Sequence, residues 1–243
     1  MLKLSFAIPI SIAALFSAQL AAWSLSSNDA GKLPDEDTIG RLANQPVSCS
    51  YLDSLLSAVG GMRDYQCSCQ MMVVKNNKWK DFGGANLFFK QRQQFRAEIV
   101  SSDYRNGSVV VKQPDGKIRG KGGGGLSLIK MTMQPDSRQL RLPTGFSLAQ
   151  SDFASLYGSL KGQIGPGVEA TTSQPTSIPA FKDPVQLLCL KKKGEGLLQV
   201  IYLNPRTKTP LAWNTYTNGQ SNAVASFDKL DVNKGLSDDL FQL

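Results

Sequence analysis

The chain has 243 residues, 41% of them hydrophobic and 19% charged, with 27 basic against 19 acidic side chains and a net charge of +8. That length and apolar fraction suit one large domain or two small ones and exclude wholesale disorder. It contains no histidine, which removes Ser-His-Asp and Cys-His catalysis and the common histidine-bearing zinc sites.

The first 26 residues, MLKLSFAIPISIAALFSAQLAAWSLS, carry Lys3 as their only charge and end in small residues. This is the pattern of a secretory signal, and the run is long enough that an uncleaved membrane anchor stays open as the rival. No cysteine follows the run closely, which excludes a lipid-modified amino terminus. The expectation is an exported protein. The basic balance then suits anionic headgroups, acidic polymers or a merely solvated surface. Nucleic acid is not expected, because aromatics are not interleaved with the basic runs.

Residues 27–46 are polar and read as a flexible linker, leaving 47–243 as one domain. A helix is predicted over 47–59, with Ser50-x-x-Asp53 as a capping box and Tyr51, Leu52, Leu55, Leu56 and Val59 on one face. Gly60-Gly61 stops it. A strand follows in which Tyr65, Cys67, Cys69, Met71 and Val73 share a face. Asn76-Asn77 turns the chain into a second strand, 79–91, where Gly83-Gly84 marks a bulge. Phe95, Ala97 and Ile99 mark a third. Asn106-Gly107 and Pro114-Asp115-Gly116 are hairpin turns around 108–112 and 117–121. Gly122–Gly125 is a loop but not a phosphate loop, since no Lys-Ser/Thr follows. A strand is predicted over 126–133. Ser147-x-x-Gln150 opens a second helix, with Phe153, Leu156, Tyr157 and Leu160 on its apolar face. Residues 163–180 read as loop, and 185–192, 197–203, 210–217 and 222–230 as four more strands. The sum is a mainly β fold, an antiparallel sheet of roughly ten strands with two helices.

Four cysteines in an exported chain suggest two disulfides. Cys67 and Cys69 point the same way from one strand, so each is expected to pair with one of Cys49 and Cys189. Both such pairings remain open. A redox CxC motif is the sharper but less economical reading.

Three stretches resemble the LolA/LolB-like superfamily of extracytoplasmic lipoprotein carriers, and a related secreted domain of unknown function. They are RDYQCSCQMMVV, FFKQRQQFRAEIV and the hairpin IYLNPRTKTPLAWNTY, with NKGLSDDLF closing the chain. The likeness spans about 47–243. It implies a curved half-barrel covered by helices, with acyl chains held between sheet and helices and 148–161 as part of a lid. Met71, Phe88, Phe89, Met131, Met133, Phe153 and Tyr157 are the expected cavity lining. Arg92 or Arg96 is the expected lid-closing arginine, although the proline that follows it in the family is Gln93 here.

The resemblance implies no cofactor, metal or enzymatic activity. It implies a lipid or acylated lipoprotein as ligand, with an inner- or outer-membrane protein as a further partner. An envelope sensor of the same fold, binding a membrane partner, is the alternative. Carboxylate-only catalysis survives as a rival class. However, Asp103, Asp115, Asp136 and Asp152 all sit beside turns or caps, where a structural role suffices.

Overall fold

In the computed structural model, residues 25–91, 93–102 and 105–243 are described. In chain order the elements are α1 (Ser27–Ala30), α2 (Glu36–Leu42), β1 (Gln45–Pro46), α3 (Cys49–Gly60), β2 (Asp64–Lys75), β3 (Lys78–Lys90) and β4 (Gln94–Ser101). Then come β5 (Val109–Lys112), β6 (Ile118–Lys121), β7 (Lys130–Met133), α4 (Phe153–Gln163), β8 (Val168–Thr172), β9 (Gln186–Lys192), β10 (Gly196–Leu203), β11 (Pro210–Thr217) and β12 (Gln220–Val232). All twelve strands form one open, curved antiparallel sheet in the order β1-β8-β9-β10-β11-β12-β2-β3-β4-β5-β6-β7. The half-barrel architecture expected from the sequence is therefore what the chain forms. The extra strands are the two-residue β1 and β8, which lies inside the stretch read as loop.

Period-two alternation sorts the side chains onto two faces. Tyr65, Cys67, Met71, Leu87, Phe95, Ala97, Ile201, Trp213 and Phe227 point to one, where α3 and α4 pack. Met72, Leu187, Cys189, Val200, Tyr202, Ala212 and Val224 point to the other. The starts of α3 and α4 are each capped by the side chain just before them: Ser48 accepts from the Tyr51 amide, and Asp152 from the Ser155 amide. The cap of α3 is thus Ser48 rather than Ser50. The predicted strand over 126–133 begins only at Lys130, because Gly124–Leu126 coils into a 3₁₀ turn.

Residues 27–46 are not a linker. Ala30, Ile39 and Ala43 are buried against the second face together with Leu25, which is 1% exposed. Ser26 caps α1 and Asp35 caps α2. The Glu36 carboxylate accepts from the Leu197 amide and lies against two hairpin turns. Gly196 and Gly219 both have positive φ, and a Cβ on either would sit 2.8 or 2.7 Å from Glu36. Only glycine permits both the backbone conformation and the carboxylate's approach. The expected signal or anchor over 1–26 lies, for 1–24, outside the described residues, while Leu25 and Ser26 belong to the fold.

The carboxy-terminal tail covers the second face at the β3–β5 end. Its 3₁₀ turn, Asp238–Phe241, buries Phe241 with Val109, Val111 and Phe88.

Candidate functional site

The first face is filled unevenly. Beneath α4, Tyr65 stacks between Phe153 at 4.6 Å and Phe89 at 5.0 Å, and Phe227 meets Phe153 edge-on. The Tyr65 hydroxyl accepts from the Phe153 amide at 2.9 Å, satisfying one of the free N–H groups that open α4. Tyr157 donates to the Lys208 carbonyl at 2.7 Å. Trp213 donates to Gln199, whose amide donates on to Gln163. The helix is held at its start, middle and end.

Towards β3–β7 the same face opens into a cavity of about 240 Å³. Small residues make the room: Gly84, Ala85, Gly120 and Ala225 border it. A Cβ at Gly120 would strike the Met133 methyl. Met71, Leu87, Ile99, Leu140, Phe146 and Leu156 contribute apolar walls. The polar groups that reach it include Arg105, Gln139, Ser101 and Ser151. Such a space favours an apolar occupant steered by a few polar groups at its rim. Leu148 and Leu156 also border the cavity, so residues 148–161 supply wall, but a wall pinned by the hydrogen bonds above.

The expected lining residues divide. Met71, Met131 and Met133 border the cavity. Phe89, Phe153 and Tyr157 lie on the same face but fill the packed core beside it. Phe88 is on the opposite face with Phe241, as it must be next to Phe89 in a pleated strand.

Arg96 does not close a lid. It extends from the second face to Glu98 at 2.7 Å and to the carbonyls of Leu240 and Gln242, holding the tail. Arg92 lies outside the described residues. The arginine that does reach across the cavity mouth is Arg105, which the sequence reading missed. Its guanidinium donates to the Gln139 carbonyl at 2.8 Å, linking the β4–β5 hairpin to the 138–140 turn. Nothing in its local sequence distinguishes it from other turn-flanking arginines.

The disulfide expectation is corrected, since all four cysteines are free. Cys67 and Cys69 face the first side, whereas Cys189 faces the second. Cys189 on β9 also stands four strand spacings from β2, on the order of 19 Å along the sheet. Cys49 is exposed, at the first residue of α3. Burial pushes the Cys69 and Cys189 thiols up to about 12 and Cys67 upward as well, so these three stay protonated near neutrality. Protonated thiols are poor nucleophiles, which disfavours the redox reading too. No group of three or more His, Cys, Asp or Glu suited to a metal ion occurs among the described residues. No described helix is long and apolar enough to cross a membrane.

No family model and no curated protein matches the chain in sequence. Solved structures do resemble it in fold. MucB aligns with 13% identity and a TM-score of 0.49 over 81% of this chain and 64% of its own. An uncharacterized conserved protein from Thermus thermophilus aligns with 12% identity and a TM-score of 0.48 over 78% and 91%. A LolA superfamily protein from Nitrosomonas europaea aligns with 10% identity and a TM-score of 0.41 over 79% and 97%. At these identities and TM-scores the alignments carry no family, ligand or activity over to this chain.

Proposed function

We propose that this chain is an exported, non-enzymatic protein that holds the acyl chain of a lipid or acylated lipoprotein in the cavity between β3–β7 and α4, for transport through the periplasm. One observation carries the reading: the sheet face that is tightly filled around Tyr65 and Phe153 is left open under glycine and alanine, with apolar walls and an arginine at the mouth. Each methylene moved from water into such a space gains about 0.8 kcal/mol. A headgroup would remain at the rim near Arg105. Delivery to or from a membrane protein belongs to the same proposal. Because α4 is pinned, the proposal assigns release to the Arg105–Gln139 link rather than to the helix.

The test is mass spectrometry of an organic extract from the chain purified without detergent, paired with uptake of a fluorescent fatty acid. Bound acyl species at near-stoichiometric level, and uptake that falls about tenfold or more in Ala225→Phe, support the proposal. An empty protein that takes up no probe, or uptake unchanged by Ala225→Phe, overturns it.

A further inference from the structure

The rim of the cavity carries more exposed apolar surface than ligand binding requires. Phe82 is 40% exposed, Leu126 59%, Leu128 92%, Ile129 51% and Met131 48%. Phe82 and Met131 border the cavity mouth. Leu126 stands against Gly122, another border residue, and Gly123 packs directly on the Asn106 carbonyl at the β4–β5 hairpin. The 122–131 segment is thus fixed over that hairpin, with its apolar side chains turned outward. Its backbone is braced by turns in which the Leu126, Ser127 and Ile129 amides donate to Gly123, Gly124 and Leu126 carbonyls. An isolated exposed leucine is ordinary, but a fixed cluster at one rim marks an interaction surface.

Charge identifies the kind of partner. Residues 105–141, which supply this end of the sheet, hold eight basic and two acidic residues, accounting for most of the chain's net charge. Arg105 and Lys121 lie on the cavity border itself, and Lys130 sits beside Ile129 and Met131, bonded to the carbonyl of Leu243. Asp81, next to Phe82, is the one acidic residue flanking these five apolar positions in sequence. Apolar side chains that project from a basic surround are the chemistry of a bilayer interface, where they enter the headgroup region while the cations meet anionic lipid.

We infer that the 122–131 segment and Phe82 dock this protein on an anionic lipid surface, with the cavity mouth facing the membrane. The inference goes beyond ligand binding, because docking by the empty protein needs no occupied cavity. An acyl chain could then pass between bilayer and cavity without crossing open water.

The test uses the full chain with vesicles of phosphatidylcholine alone or mixed with phosphatidylglycerol, in two variants. In Leu128→Trp, the added fluorescence should be quenched by brominated acyl chains in the anionic vesicles, and less so at high salt. In Leu128→Asp/Ile129→Asp, partition should fall about tenfold or more, with an unchanged melting transition and unchanged fatty-acid uptake. Three results overturn docking. The first is a vesicle-bound protein whose introduced indole is not quenched, which means attachment through residues 1–24. The second is an introduced indole shielded from soluble quencher before lipid is added, which means the patch is covered by the chain's own segment. The third is a double variant that alters sedimentation rather than partition, which makes the surface an interface between copies.

Discussion

The two halves of one sheet face make the instructive comparison. Around β10–β12 and α4, Trp213, Tyr157, Phe153, Ile201 and Phe227 interdigitate, with the polar tips of Trp213 and Tyr157 hydrogen-bonded and Trp213 and Phe227 also bordering the cavity. Around β3–β7 the same face carries Ala85 and Gly120, and the space over them stays open. The backbone pairing continues through both halves. Side-chain volume, not topology, decides which half is core and which is cavity.

The largest expected effect falls on the filled half. Trp213→Ala should cost about 3–5 kcal/mol, read by urea denaturation, because it removes a fully buried ring and leaves the Gln199 side-chain oxygen without its donor. A loss near 1 kcal/mol would mean that half is as loose as the other. Tyr65→Phe keeps the stacked ring but leaves the Phe153 amide without its acceptor, an expected loss of about 1–3 kcal/mol. Hydrogen exchange at the start of α4 should rise with it; unchanged exchange would show that the helix is not held there.

Arg105→Ala should lower stability by only about 1 kcal/mol while speeding fatty-acid dissociation in stopped flow. Equal rates would remove it as the closure. Met131→Ala, at a half-exposed rim position, should shift stability by less than about 0.5 kcal/mol. The smallest perturbation is chemical. Without reductant, the denatured chain should titrate four thiols with Ellman's reagent, and the native chain chiefly Cys49. Fewer than four would restore a disulfide. Because burial raises the other three thiols, moving from neutral pH to about 9 should leave them protected.

How much of this was legible depends on where the physics lies. The hairpin over Pro210–Thr217 and Gln220–Val232 was readable because alternation and the Asn218-Gly219 turn are local. Helix α2 was not readable: it has seven residues and buries only Ile39, so its stability comes from the sheet beneath it. The cavity was legible only in part. An apolar pattern marks Phe153 and Met133 alike as face residues. What separates packed Phe153 from rim Met133 is the bulk of partners on other strands. Glycines such as Gly120 leave room that no pattern of large residues can announce. The cysteines misled because pairing was argued from number and compartment. Which face each occupies depends on register, and the distance between β9 and β2 is set by sheet order.

The burial of Leu25 and the seat of Glu36 between two turns bear on how the chain can be trimmed. A maturation peptidase that cut after residue 26 would discard a side chain that is 1% exposed and the serine that caps α1. Any cut compatible with this fold therefore falls before Leu25. A fragment beginning at 47 would expose the Met72–Val200–Tyr202 surface and leave two hairpins unlatched from each other. For this protein the stretch from Leu25 to Pro46 is a brace that joins distant loops, and a peptidase acting on the amino-terminal side spares the fold only upstream of it.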